Sequence, residues 1–149
     1  MTFNIFQQIA QILDTTYSEK CKAKAASLQH KLSQTTSLNL RDLDLSTTDA
    51  ISIAELIATK SDLLSISFSY NKIEDKGVIA LITNLPKSVR EIGLVDCSIG
   101  DRAGEVILEW LKCNPQLKMI CMEKNNFSAK LLSQFKQIKR TQPNLLLVV

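Results

Sequence analysis

The chain has 149 residues, 45% of them hydrophobic, which suits one domain of ordinary size. Its 18 basic and 15 acidic residues leave a formal +3, and no Lys/Arg run exceeds two, so charge alone does not argue for nucleic acid. No stretch approaches the ~18 apolar residues of a membrane span, and Met1–Asp14 lacks the basic start and unbroken apolar run of a signal peptide. Neither a nucleic-acid nor a membrane partner is expected.

Residues 3–13 place Ile5, Phe6, Ile9, Ile12 and Leu13 on one helical face, and residues 17–32 do the same with Tyr17, Cys21, Ala25, Leu28 and Leu32. Asp14-Thr15-Thr16 separates them, with Thr16 and Glu19 spaced for a capping box. Residues 1–34 therefore read as a helical cap. Residues 35–149 read as one structural domain of about four repeats plus a terminal strand. The cap would cover the apolar end that a stack of repeats leaves open.

The repeat is clearest from Leu63: Leu63, Ile66, Phe68, Asn71, Ile73, Gly77, Leu81, Leu85. Its first third alternates with period two, as a half-buried strand does, and its last third recurs every four residues, as a helix face does. The pattern restarts at Val89 (Val89, Ile92, Leu94, Cys97, Ile99) and at Leu117 (Leu117, Ile120, Met122, Asn125, Phe127). A fragment starts at Leu145 with Val148 in the next slot, and an earlier copy starts at Leu40 (Leu40, Leu43, Leu45, Thr48, Ala50). The starts are 23, 26, 28 and 28 residues apart, room enough for a full α-helix on each return path. Ser52, Asp75 and Asp101 sit where each could cap its helix, and Ser128 does so in the next unit.

This pattern resembles the ribonuclease-inhibitor-like subclass of leucine-rich repeats over residues 40–149. The resemblance implies an α/β solenoid, a short right-handed βα horseshoe with parallel strands on the concave face and helices on the convex face. It also implies a ninth-position column, here Thr48, Asn71, Cys97 and Asn125, that hydrogen-bonds the buried turn between coils. Leu145–Val149 would form a last strand with an apolar edge, through which the chain could self-associate.

Catalytic chemistry finds little footing. His30, the one histidine, lies on the polar side of the cap with no motif around it, and no nucleophile elbow, phosphate loop or zinc spacing occurs. No cofactor or metal is expected. Asp42 and Asp44 are the one paired-carboxylate candidate, but a solenoid strand offers no pocket to exclude water, so an acidic contact surface is the better reading. Cys121 projects from the concave face as a small contact residue, with no neighbouring cation in sequence to lower its pKa.

In this register, alternation turns four rows toward the concave side and its rim. They are Asp42, Ser65, Glu91, Met119; Asp44, Ser67, Gly93, Cys121; Ser46, Ser69, Val95, Glu123; and Thr47, Tyr70, Asp96, Lys124. Five acids against one base make this face net −4 while the whole chain is +3. Such a field repels phosphate and attracts a basic protein surface. Ser65, Ser67 and Gly93 leave room for an inserted loop, and Tyr70, Val95 and Met119 are the apolar anchors.

The expected function is a non-enzymatic protein-binding module. By analogy with the family it resembles, it would inhibit or regulate a partner enzyme by occlusion. A scaffold subunit using the convex helices or the terminal strand is the alternative, and a Ran-type GTPase activator is a third. Short repeat proteins of this build also occur among effectors that intracellular bacteria deliver into host cells. Cys21, Cys97, Cys113 and Cys121 form no C-x-x-C pair and no disulfide-rich cap, which points to a reducing, cytoplasmic site.

Overall fold

The computed structural model describes residues 3–16 and 18–149. Two helices come first, α1 (Ile5–Asp14) and α2 (Glu19–Leu28). Strands and helices then alternate: β1 (Ser37–Asn39), α3 (Thr47–Ile57), β2 (Ser65–Ser67), α4 (Glu74–Asn84), β3 (Glu91–Gly93), α5 (Asp101–Cys113), β4 (Met119–Cys121), α6 (Ala129–Thr141) and β5 (Leu146–Val148). The five strands form one parallel sheet in chain order. Each three-residue strand is too short to stand alone; β2, β3 and β4 are held by strands on both sides, and the edge strands β1 and β5 by one. Among the described residues no helix is long and apolar enough to cross a membrane.

Strand alternation sends one residue of each strand into the core: Leu38, Ile66, Ile92, Ile120 and Leu147, all at most 2% exposed. Two residues on, Leu40, Phe68, Leu94 and Met122 form a second buried row, and Leu45, Ile73 and Ile99 a third. The helices close over these rows with Ile53 and Ile57, Val78 and Leu81, Ile107 and Leu111, and Leu131 and Phe135. Each such side chain contributes about 1.5–3 kcal/mol on leaving water. At the other end α1 buries Phe6, Ile9 and Leu13, and α2 buries Cys21, Ala25 and Leu28.

The first unit lies in a different register from the one expected. Ser37, Leu38 and Asn39 pair with Ser65, Ile66 and Ser67, so the unit opens at Thr35 rather than Leu40. The run Leu38, Leu40, Leu43, Leu45 satisfies the template at two offsets, and the uneven spacing of 23 residues was the mark of the wrong one. Asp42 and Asp44 therefore lie beyond β1, in a loop, each with positive φ (54° and 56°), and are not a strand pair. Ser46 is the N-cap of α3, forming a capping box with Asp49. Thr47 and Thr48 lie within α3. At the far end β5 is one residue early: Leu147, not Val148, enters the core, and Val148 pairs with Cys121.

Helix starts also differ from expectation. The N-cap of α2 is Ser18, which accepts from the Cys21 N–H, so Thr16 and Glu19 form no capping box. Leu32 is 62% exposed because α2 ends at Leu28, while Tyr17 lies outside the described residues. Ser52 falls inside α3. Asp75 and Asp101 reach across to the next unit instead, accepting from the Gly100 N–H (2.7 Å) and the Ser128 N–H (2.8 Å). Ser128 does cap α6.

Candidate binding face

Side chains adjacent to the buried rows define the concave face. The strand register aligns Ser37, Ser65, Glu91 and Met119 in one column and Asn39, Ser67, Gly93 and Cys121 in the next. Arg41, Ser69, Val95 and Glu123 follow, and Asp42, Tyr70, Asp96 and Lys124 form the rim. These four rim residues share one backbone state, with φ of 54°, 62°, 52° and 61°. A left-handed residue at that point follows each of the first four strands and turns the chain toward its helix. Asp tolerates this geometry better than Tyr or Lys, for which it costs on the order of 1 kcal/mol.

The register shift changes the charge of the face. Arg41 and Asp42 replace Ser46 and Thr47, while Asn39 and Ser37 replace Asp44 and Asp42 in the strand columns. Four acids (Asp42, Glu91, Asp96, Glu123) now stand against two bases (Arg41, Lys124), a net of −2 rather than −4. Asp42 is further tied to Lys20 of the cap at 3.1 Å. Tyr70, half-buried, lies between two cations: Arg41 is 4.6 Å from its ring centroid and Lys124 is 5.7 Å away. The face is thus mixed in charge, with Glu91 and Asp96 as its exposed acids in the third unit.

Among the expected contact residues, Ser65, Ser67, Val95, Met119, Cys121 and Glu123 are half-buried, and Glu91, Asp96 and Lys124 are exposed. Ser69 is not available: it is 5% exposed, and its Oγ accepts from the Val95 N–H at 3.0 Å. The floor at Gly93 is shallow by necessity. A Cβ there would come 2.7 Å from Ser67 Oγ and 3.1 Å from Ser69 Oγ. Burial, followed by the Glu123 charge, raises the Cys121 thiol above its ordinary pKa, which keeps it protonated and a poor nucleophile.

Beneath the rim runs a ladder of side chains that sets the turn. Asn71 is 1% exposed; its Oδ1 accepts from the Leu43 and Leu45 N–H groups (2.9 and 3.0 Å), and its Nδ2 donates to the Leu40 and Phe68 carbonyls (2.8 and 2.9 Å). Asn125 repeats this with Cys97, Ile99, Leu94 and Met122. Thr48 takes no part; the first unit has Leu43 in this slot, whose carbonyl accepts from the Cys21 thiol of the cap at 2.9 Å. Cys97 stands where an Asn would complete the ladder. Its thiol donates to the Phe68 carbonyl at 3.3 Å, and burial pushes its pKa up to about 12, so it stays a neutral donor.

A thiol cannot replace the missing amide oxygen. The Ile73 N–H turns to the Asn71 carbonyl (2.8 Å), and Glu74 swings to φ 61° with its N–H on the Cys97 carbonyl (3.1 Å). The residues at the same offset in the other units, Ser46, Gly100 and Ser128, keep φ of −88°, −110° and −67°. Beside this altered turn lies an open depression of about 760 Å³ on the rim, lined among others by Glu74, Lys76, Asp96, Ser98, Arg102 and Lys124. Sequence reading missed it, although Cys97 in an Asn column was the visible sign that one turn would differ.

Fold and face together define a leucine-rich-repeat solenoid with a helical cap. No family model matches the chain. It is similar to the NACHT, LRR and PYD domains-containing protein 5 of Mus musculus, with 33% identity over 105 residues, 66% of this chain and 9% of that protein. The chain thus spans under a tenth of the length of the curated relative it matches. Among solved structures it resembles the Leiomodin-1 Actin-Binding Site 2 (ABS2), with a TM-score of 0.68 and 13% identity, covering 99% of this chain and 79% of that one. That likeness is one of fold.

Proposed function

We infer that the protein is a non-enzymatic binding module whose concave face docks another protein in the cytoplasm. The observation carrying this reading is the patch of small residues Ser65, Ser67 and Gly93 on neighbouring strands, with Glu91, the cation-flanked Tyr70 and the half-buried Met119 and Cys121 around it. Small residues make room for an inserted loop, while Tyr70 and Met119 supply rigid and adaptable apolar contacts. Glu91 and Asp96, neither held in an ion pair among the described residues, favour a loop that brings a basic side chain. Occluding a partner enzyme's active site is the finer form of this reading. It rests on analogy with the ribonuclease-inhibitor-like repeats, as the leiomodin-1 module is a fold-level analogy for protein binding.

Charge reversal tests it. With a partner protein captured from cell lysate on the immobilised chain, Glu91→Lys with Asp96→Lys should slow association about tenfold without moving the melting temperature. An unchanged association rate would overturn the basic-loop reading. Activity of the partner with and without the chain then separates occlusion from scaffolding, and actin is the first purified protein to try.

A further inference from the structure

From Lys124 to Val149 the chain has five cations (Lys124, Lys130, Lys136, Lys139, Arg140) and no Asp or Glu. The modest overall charge conceals this, because the first unit holds five acids (Asp42, Asp44, Asp49, Glu55, Asp62) against Arg41 and Lys60. Four of the five cations lie on α6. With about 100° per residue, Leu131, Phe135 and Ile138 face the core, Arg140 points directly away with Lys136 about 40° round from it, and Lys130 and Lys139 lie on the two opposite flanks. All four are exposed, and among the described residues none forms an ion pair; Arg140 donates only to Gln137 on the same face, at 3.4 Å.

The rest of that outer side is Ala129, Ser133, Gln134, Gln137 and Thr141, with no large apolar or aromatic side chain exposed on α6. Its composition discriminates between partners. Protein interface cores are poor in Lys and rich in aromatic residues, and insertion into a membrane surface needs an apolar helix face that α6 has already spent on the core. Lys, Arg, Ser, Thr and Gln are, by contrast, the side chains that hold phosphate oxygens. Single-strand binding would call for an aromatic platform, which this face lacks. We propose that the outer face of α6 binds the phosphate backbone of a nucleic-acid duplex, without sequence preference. The cations span roughly 15 Å along the helix, enough to follow a few successive phosphates. This surface is on the helix side of the solenoid, so it stands or falls separately from the concave face.

Fluorescence anisotropy with a labelled duplex of about 20 base pairs tests the proposal on the whole chain. Four phosphate contacts predict a slope of about −3.6 in log affinity against log salt, hence a loss of about 100-fold between 50 and 200 mM. Lys136→Glu with Arg140→Glu should weaken binding at least tenfold at the lower salt. Lys22→Glu with Lys31→Glu, an equal charge change on the exposed side of the cap, should leave it within about twofold. Unchanged circular-dichroism melts show that both variants remain folded. Equal losses in the two pairs, or no duplex binding at the lower salt while phosphatidylserine vesicles or poly-glutamate peptide are bound, would overturn the proposal.

Discussion

Asn71 shows how much of this fold turns on single polar atoms. Its amide joins two units by satisfying two N–H groups and two carbonyls in a core that water does not reach. Each buried partner left unpaired costs about 1–3 kcal/mol. Asn71→Ala should therefore lower unfolding free energy by about 3 kcal/mol or more, measured by urea denaturation, and Asn125→Ala, half-buried at the stack's far end, by less. The resemblance to ribonuclease-inhibitor-like repeats pointed to this column, and Asn71, Cys97 and Asn125 do stand in it. Sequence reading erred at Thr48, where the hydroxyl looked suitable but the register was shifted. It could not foresee that Cys21, from a helix outside the repeats, would reach the Leu43 carbonyl.

Between elements, close approach is set by what the helices lack. A Cβ at Gly104 would run into Leu131 and come 2.9 Å from Phe127 Cε1, so α5 and α6 sit together only because that position is bare. Leu131 belongs to the core and Phe127 packs on Phe135 with ring centroids 5.4 Å apart. Gly104→Ala should destabilise by about 1–3 kcal/mol, the usual range for overpacking, read as a lower melting temperature. Helix and strand positions were legible because their two periods are distinct. Boundaries at the ends were not, since Leu-rich alternation before Leu45 and in Leu145–Val149 fits more than one register, and only neighbouring strands decide which. Ser128 caps α6 as expected, but the caps expected at Asp75 and Asp101 failed for a related reason: both bond across units, a partnership invisible to local spacing.

Across the molecule, stacking converts a weak one-dimensional repeat into a concave face of mixed charge and a helix layer whose unopposed cations lie on α6. The parallel sheet and the helix layer were legible from the repeat, and so were most residues of the concave columns. The net charge of that face was not, because one misplaced unit exchanged two strand acids for Ser37 and Asn39 and brought in Arg41. What stands is the register of Ser65, Ser67, Glu91, Gly93, Met119 and Cys121 on adjacent strands, from the units whose repeat pattern was unambiguous. Incorporating a photo-crosslinking amino acid at Ser67 in one preparation and at Ser133 in another, then exposing both to the captured partner, reads where that partner docks. Docking in the curve predicts a strong adduct from position 67 and little or none from position 133; equal adducts, or adducts from position 133 alone, would contradict it.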